Sequence, residues 1–214
     1  ATPIRLFVAR GRAAETRFTV ESMPKILTRL EDAFGVPYPY EKLDYVAVPG
    51  ITSIGGMENA ALITLEGQDV FANVTALARR SSVGTIAHEL AHQWFGDLVT
   101  MGWWDDLWLN EGFATWMGRK ITRDFDPAYE TELRTVERAD SVMNSDGLLS
   151  ARKIRQEIGS YDDIKNAFDG ITYEKGAAVL DMFEGWLGAP AFQKGVRLYL
   201  ERHGWKNAST ADFL

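Results

Sequence analysis

Hydrophobic residues follow two different spacings along the chain, and these predict a small sheet followed by helices. Three short stretches alternate or are rich in β-branched side chains, as strands are: residues 4–9, 43–48 and 61–65. Between the first two, residues 20–34 carry apolar side chains every three or four positions and stop before Gly35, which predicts a packing helix. The segment 50–59, which links the second and third strands, bears several glycines.

Helical spacing dominates from about residue 80 onward. Ser81 or Ser82 is expected to cap a helix that runs to about Gly96, and residues 98–104 then turn the chain. Asp105 or Asp106 should begin an antiparallel helix that ends near residue 124. Four more helical segments are predicted at residues 127–143, 161–168, 173–187 and 191–203, with a polar loop at 144–147. The pattern predicts an α+β domain, with a β-rich lobe of about 1–70 and a helical lobe of about 80–214.

Composition narrows the class of protein. The 214 residues carry a net charge of −7, and no Lys/Arg cluster is available to meet phosphates, so no nucleic-acid partner is expected. No apolar stretch reaches the ~20 residues that span a bilayer, and the first residues lack the features of a secretory signal. The absence of cysteine excludes disulfides and thiolate zinc sites but leaves the compartment open. We expect a soluble chain, and favour the cytoplasm over the periplasm or the extracellular space.

The strongest chemical signal lies in the predicted helix that contains His88, Glu89 and His92. At 3.6 residues per turn, His88 and His92 project from one face and can reach one ion. Glu89 lies about 100° round the helix from His88 and about 60° from His92, where it can take a proton from water. Taken alone, two histidines four apart can also be ordinary surface residues. The spacing is nevertheless that of a zinc site with a general base.

A third ligand is available in the next amphipathic run. Glu111 follows His92 after eighteen residues, and an antiparallel helix would return its carboxylate to the histidines. Two histidines and one glutamate leave a fourth position open for water, which is the ligand set of a catalytic zinc site rather than a structural one. We therefore predict one zinc ion per chain, with Glu89 as the base.

The last six residues begin as a helix would. Ser209 is a good N-cap residue, and Asp212 follows three positions later in a variant of the capping box. Because the chain stops within this first turn, and because it starts in a predicted strand, we expect a domain taken from a longer polypeptide.

Three runs resemble the aminopeptidase N family of zinc metallopeptidases, the gluzincin aminopeptidases that include leukotriene A hydrolase. They are Gly55-Gly56-Met57-Glu58-Asn59, the pattern from His88 to Glu111 with Trp108-Leu109-Asn110-Glu111-Gly112, and Ile171-Thr172-Tyr173-Glu174-Lys175-Gly176. The resemblance covers most of the chain. It implies a thermolysin-like zincin catalytic domain that in family members lies between an N-terminal β domain and a C-terminal helical domain.

The resemblance also implies roles for single residues. It assigns His88, His92 and Glu111 to zinc, Glu89 to the general base, and Tyr173 to the hydroxyl that stabilises the tetrahedral intermediate. It places the substrate backbone along Gly55, Gly56, Met57, Glu58 and Asn59, with Glu58 on the free α-amine and Met57 near the first side-chain pocket. Ala60 and Ala61 depart from members with a bulkier residue or proline there. A second amine anchor, which comes from the N-terminal domain in the family, has no counterpart in this chain.

Local sequence alone leaves simpler interpretations open. The glycine-bearing run can be a plain turn, and Tyr173, near the start of a helix, can be a packing residue.

The expected function is a zinc aminopeptidase that acts on peptides with a free N-terminal amine and works with flanking domains. The alternatives are a bifunctional epoxide hydrolase with aminopeptidase activity, and a non-catalytic scaffold module of the same fold.

Overall fold

The computed structural model describes residues 2–50, 55–73 and 75–214, and its first part builds a four-stranded mixed sheet. The strands are β1 (Ile4–Phe7), β2 (Leu43–Val48), β3 (Gly56–Met57) and β4 (Leu62–Glu66). In the order β1-β2-β4-β3, the first three run parallel and β3 pairs antiparallel with β4 at the edge. The three predicted strands are confirmed. The short strand β3 was not predicted, and residues 51–54 of the same glycine-bearing segment lie outside the described residues.

The helix predicted between β1 and β2 is confirmed as α1 (Arg17–Phe34). It starts three residues early because a 3₁₀ turn at Ala13–Thr16 leads into it. Its apolar stripe is buried, and Gly35 ends it in the left-handed conformation with φ of 64°.

The remainder of the described chain is mainly helical. Its helices are α2 (Gly67–Val70), α3 (Ala76–Ala91), α4 (Leu107–Phe125), α5 (Thr131–Asp146), α6 (Tyr161–Ala167), α7 (Gly176–Leu187), α8 (Ala189–His203) and α9 (Thr210–Phe213). A second sheet of two parallel strands, β5 (Val99–Met101) and β6 (Lys206–Ala208), joins the segment after α3 to the end of the chain. This sheet was not predicted, because three-residue strands show no measurable alternation.

The predicted start of α3 was wrong. Thr75 caps the helix, with its hydroxyl accepting from the Ala78 amide at 3.0 Å, so the helix begins nearly two turns earlier than expected. Ser81 and Ser82 lie inside the helix, and the Ser81 hydroxyl donates instead to Asp69 at 2.7 Å. The helix ends at Ala91, so the two histidines lie at its C-terminal end and not near its middle.

Helix α4 begins where it was expected and runs antiparallel to α3. Asp106 occupies the N-cap position, but its carboxylate accepts from Arg155 Nε at 2.8 Å and from the Thr210 hydroxyl at 2.6 Å. The next helix differs from its prediction: a 3₁₀ turn at Pro127–Tyr129 precedes α5, and α5 continues through the supposed loop to Asp146.

One continuous core joins the first sheet to the helices. Apolar faces of α1, α3 and α4 form its centre, with Met23, Tyr45, Ile86, Trp94 and Phe113 among its most buried members. Within residues 2–50, 55–73 and 75–214, no helix is long and apolar enough to cross a membrane. The first sheet and helix α4 thus hold α3 from two sides, which fixes the direction of its histidines.

Candidate metal centre

The structure brings His88, His92 and Glu111 together at the ends of α3 and α4. The two Nε2 atoms lie 3.1 Å apart, and Glu111 Oε2 lies 3.3 Å from His88 Nε2 and 3.4 Å from His92 Nε2. A tetrahedral zinc ion about 2 Å from each ligand requires donor atoms ~3.3 Å from one another. The three side chains therefore fit a metal ion of this size without rearrangement.

Contacts of His92 Nδ1 orient the ring so that Nε2 points toward the candidate metal position. His92 Nδ1 lies 3.0 Å from the Phe95 carbonyl and 2.8 Å from Asn110 Oδ1. Because a carbonyl can only accept, Nδ1 carries the hydrogen and Nε2 keeps a free lone pair. Gly96, with φ of 131°, makes this possible, since a Cβ there would lie 2.2 Å from Asn110 Oδ1.

Burial and charge couple the ligands electrostatically. Burial alone would raise the pKa of Glu111, but the charges of His92 and His88 and their hydrogen bonds hold that pKa well below its usual range. Burial would lower the pKa of His92, and the neighbouring Glu111 carboxylate raises it well above the usual value instead. Without an ion, protons on the histidines compensate the buried Glu111 charge, and a bound metal cation would replace those protons.

Glu89 lies beside this triad, as the sequence predicted. It is 5% exposed, and burial raises its pKa to about 7, although the charges of His88 and His92 act in the opposite direction. A carboxylate with a pKa near neutrality is suited to accept and return a proton. Gly56 on β3 packs directly on it: a Cβ there would lie 2.6 Å from Glu89 Cγ.

Glu58 extends from the end of β3 to the same place. Its Oε1 lies 3.3 Å from Asn110 Nδ2 and 4.0 Å from His92 Nδ1, and its carbonyl accepts from Gln93 Nε2 at 2.9 Å. Glu58, Glu89 and His92 form a second possible metal-binding group. That group is the poorer one, because Nδ1 of His92, the ring nitrogen that faces Glu58, already donates its hydrogen.

The other residues of the glycine-bearing run are divided between the cleft and the surface. Gly55, Gly56 and Met57 line the same cleft of about 1230 Å³ as the triad, and Met57 is 40% exposed. Asn59 lies at the exposed turn beyond the cleft, where its carbonyl accepts from the Leu62 amide at 2.8 Å. The plain-turn interpretation is therefore wrong for the first part of the run, which contains an edge strand.

Tyr173 faces the triad from the opposite wall of the cleft. It lies in a π-helical turn at Ile171–Lys175, and its ring is nearly parallel to that of His88 with centroids 6.1 Å apart. Burial and then the charge of Glu111 raise its pKa well above the usual range, so the phenol keeps its hydrogen. Such turns often interrupt helices at functional sites.

A salt bridge anchors the turn that carries Tyr173. Asp169 Oδ1 accepts from the amides of Ile171 and Thr172 at 2.9 and 3.1 Å, and Arg152 Nε donates to Asp169 Oδ2 at 2.8 Å. Sequence reasoning missed this anchor together with Asn110 and Gln93. Asn110 and Gln93 could have been found because each is adjacent in sequence to a predicted metal ligand, Glu111 or His92. No feature of the local sequence distinguishes Arg152.

Comparison with known proteins gives two findings. The family model described as the peptidase family M1 domain matches residues 18–214. Aminopeptidase M1-A of Oryza sativa subsp. japonica is 39% identical over 99% of this chain, and aminopeptidase 2 of Candida albicans is 40% identical over 98%. The alanine/arginine aminopeptidase of Saccharomyces cerevisiae is 39% identical over 98%. The chain spans about a quarter of the length of these relatives, 24%, 23% and 25% respectively.

Proposed function

Because the chain belongs to peptidase family M1, we propose that it forms the catalytic domain of a zinc-dependent aminopeptidase that removes the first residue from peptides. We further propose a single domain of thermolysin-like architecture that works with flanking domains. The observation that carries this proposal is the convergence of His88, His92, Glu111, the buried Glu89 and Glu58 on one cleft. The epoxide hydrolase alternative has no support from the relatives, which are named aminopeptidases.

His88, His92 and Glu111 would hold the zinc ion. When bound, zinc would supply Lewis acidity toward the scissile carbonyl and the attacking water. Glu89 accepts the proton of that water and passes it to the leaving amine, a transfer for which a pKa of about 7 is suited. Tyr173 donates its hydroxyl hydrogen to the developing oxyanion.

Glu58 decides where the cut falls. The zinc constellation is shared with endopeptidases, so the selection of the amino terminus requires a group that recognises an ammonium. The Glu58 carboxylate can do this through a charge-assisted hydrogen bond of about 1.5 to 3 kcal/mol. Its Oε1 lies 4.0 Å from His92 Nδ1, so the amine would be held beside the proposed metal centre. The unpaired edge of β3 lies along the substrate backbone, as in strand addition.

Peptides that differ only at the amine test the amine anchor. Wild type, Glu58→Gln and Glu58→Ala are compared on a free and an N-acetylated peptide, with the exposed Glu41→Gln as the matched control. Loss of the anchor should lower kcat/KM on the free peptide by ~10². Glu41→Gln should behave as wild type. Internal cleavage of the acetylated peptide by wild type at a comparable rate would identify an endopeptidase and refute the role of Glu58.

Metal content tests the rest of the assignment. Elemental analysis should find one zinc per wild-type chain, retained in Glu89→Gln and lost in Glu111→Ala. Glu89→Gln should lower turnover by at least ~10² despite its zinc. Zinc retained by Glu111→Ala, or normal turnover of Glu89→Gln, would contradict the proposed ligand set or the proposed base.

A further inference from the structure

The contacts of β3 along α3 indicate the direction in which a peptide would run through the cleft. Gly55 faces Thr85, Gly56 faces Glu89, and Glu58 reaches Asn110 beside His92. This segment therefore runs along α3 toward its C-terminal end, where the two histidines lie. A peptide whose amine meets Glu58 must leave the metal position in the other direction, toward the N-terminal end of α3.

A cluster of arginines lines that opposite end. Arg80 lies on α3 eight residues before His88, which places it about 12 Å along the helix axis at 1.5 Å per residue. Arg134 and Arg138 on α5 line the same end of the cleft. Burial and then the charges of Arg134 and Arg138 lower the pKa of Arg80, so these guanidinium groups act on one another. We call Arg80, Arg134 and Arg138 the arginine end of the cleft.

Nearby carboxylates compensate these charges only in part. Arg119, also in the lining, pairs with Glu174, and Arg138 Nη1 lies 3.9 Å from the same carboxylate. Among the residues that the structure describes, Arg80 and Arg134 have no carboxylate oxygen within 4.0 Å. The lining sets Glu174 and the largely buried Asp69 against four arginines, and Glu130 and Glu137 also act on Arg80 from more than 4.0 Å away.

The cleft thus has charges of opposite sign at its two ends. Glu58 lies at the amine end beside Asp97, whose pKa burial raises to about 7, and the arginines lie at the other end. A short peptide has the complementary pattern, with an ammonium at its start and a carboxylate at its end. An extended chain advances about 3.3 to 3.6 Å per residue, so three residues beyond the scissile bond cover about 10 Å. Long arginine side chains cover the remaining distance.

Resting on the proposed aminopeptidase function, we propose that the arginine end binds a substrate carboxylate about three residues beyond the scissile bond. The preferred substrates are then peptides of about four residues with a free C-terminal carboxylate. Longer peptides gain the same contact when aspartate or glutamate occupies that position. The arginines determine substrate length and acidity, whereas Glu58 and the metal centre determine where the cut falls.

Matched peptides on the full-length protein test this proposal. Tetra-alanine with a free carboxylate is compared with its C-terminal amide, and an amidated hexapeptide with glutamate at position four is compared with its glutamine analogue. Wild type should prefer each acid by roughly fivefold to tenfold in kcat/KM at low salt, with the preference declining as salt screens the charges. Preference for the tetrapeptide acid alone would identify the C-terminal carboxylate as the ligand, and preference in both pairs would identify any carboxylate at that distance.

Arginine variants locate the effect. The acid-to-amide ratio should fall toward one in Arg80→Gln/Arg134→Gln, and the double charge reversal to glutamate should favour the amide. The exposed Arg202→Gln on α8 is the matched control and should keep the wild-type ratio. Melting temperatures of all variants report whether each is folded.

A binding measurement separates this proposal from the proposed function. Calorimetric titration of Glu89→Gln with the two tetrapeptides measures the acid preference without turnover. Failure of wild type to cleave either tetrapeptide would refute the aminopeptidase function, whereas the binding ratio would still test the arginine end. A ratio near one for wild type, or a ratio unchanged in the arginine variants, overturns the proposal.

Discussion

A single methyl group at Gly56 would test whether Glu89 works from the position that it occupies here. An ideal Cβ at residue 56 lies 2.6 Å from Glu89 Cγ and 2.7 Å from both Cδ and Oε1. Carbon atoms in contact prefer about 3.5 to 4.0 Å, so the Gly56→Ala change should displace the carboxylate by about 1 Å. Since Glu89 is 5% exposed, it is packed on its other sides and has little room in which to compensate.

The effect on activity should be much larger than the effect on stability. A displacement of about 1 Å in a catalytic group can cost ~10² in rate, which corresponds to about 2.7 kcal/mol of activation free energy. The backbone at Gly56 does not adopt a positive φ, so alanine causes no backbone strain. An off-rotamer glutamate costs about 0.5 to 1.5 kcal/mol, and the loss of glycine's freedom in the unfolded chain offsets part of that.

Steady-state kinetics on a free-amine peptide, melting temperature and zinc content together give the answer. Gly195→Ala on α8 is the control, because a Cβ there meets no atom within 4 Å. Binding of the same peptide to Glu89→Gln, with and without Gly56→Ala, distinguishes displacement of the base from a blocked cleft. A Gly56→Ala protein that keeps its zinc and has kcat/KM within about threefold of wild type would refute the reasoning.

Three further changes have distinct expected outcomes. Tyr173→Phe should lower kcat by ~10² to 10³ with little change in KM, whereas a tyrosine that only packs would lower the melting temperature and leave turnover intact. Asn110→Ala removes the acceptor 2.8 Å from His92 Nδ1 and should weaken zinc affinity by ~10 to 100-fold in a chelator competition; unchanged affinity would exclude Asn110 from orienting the ligand. Hydrogen bonds from Arg5 and Lys42 lower the pKa of Asp44 to about 2, so this carboxylate stabilises the fold above its unfolded pKa of ~3.9 and loses that effect as pH falls toward 2. Asp44→Asn should therefore have a lower melting temperature than wild type at pH 6 and nearly the same melting temperature near pH 2. An equal difference in melting temperature at both pH values would contradict the pairing.

The local parts of the site could be predicted because helix geometry alone relates their residues. His88, Glu89 and His92 lie within two turns of one helix, so a 3.6-residue period places them correctly even though the start of α3 was placed too late. Glu111 needed one more assumption, that the next helix returns antiparallel, and the structure confirms that geometry.

Contacts between distant segments could not be predicted in the same way. Asn110 meets Glu58 across 52 positions, and Arg152 anchors the Tyr173 turn through tertiary ion pairs that no local spacing encodes. The start of α3 failed for a related reason, since three hydroxyl residues, Thr75, Ser81 and Ser82, compete for one cap. Tertiary packing determines which residue caps the helix. Ser82 is fully buried inside the helix, and Thr75 is the N-cap.

The shared contacts of Asn110 also explain why one residue, rather than two, should be removed at each cut. Its amide holds Glu58 at 3.3 Å through Nδ2 and His92 at 2.8 Å through Oδ1, so the proposed amine anchor and a proposed metal ligand are fixed to the same side chain. A second residue before the scissile bond would need about 3.3 to 3.6 Å more length. Neither wall can supply that length by a side-chain rotation, because Gln93 also fixes the Glu58 backbone to the end of α3. If Glu58 anchors the amine as proposed, the distance that selects the amino terminus is set by the packing of β3 against two helices.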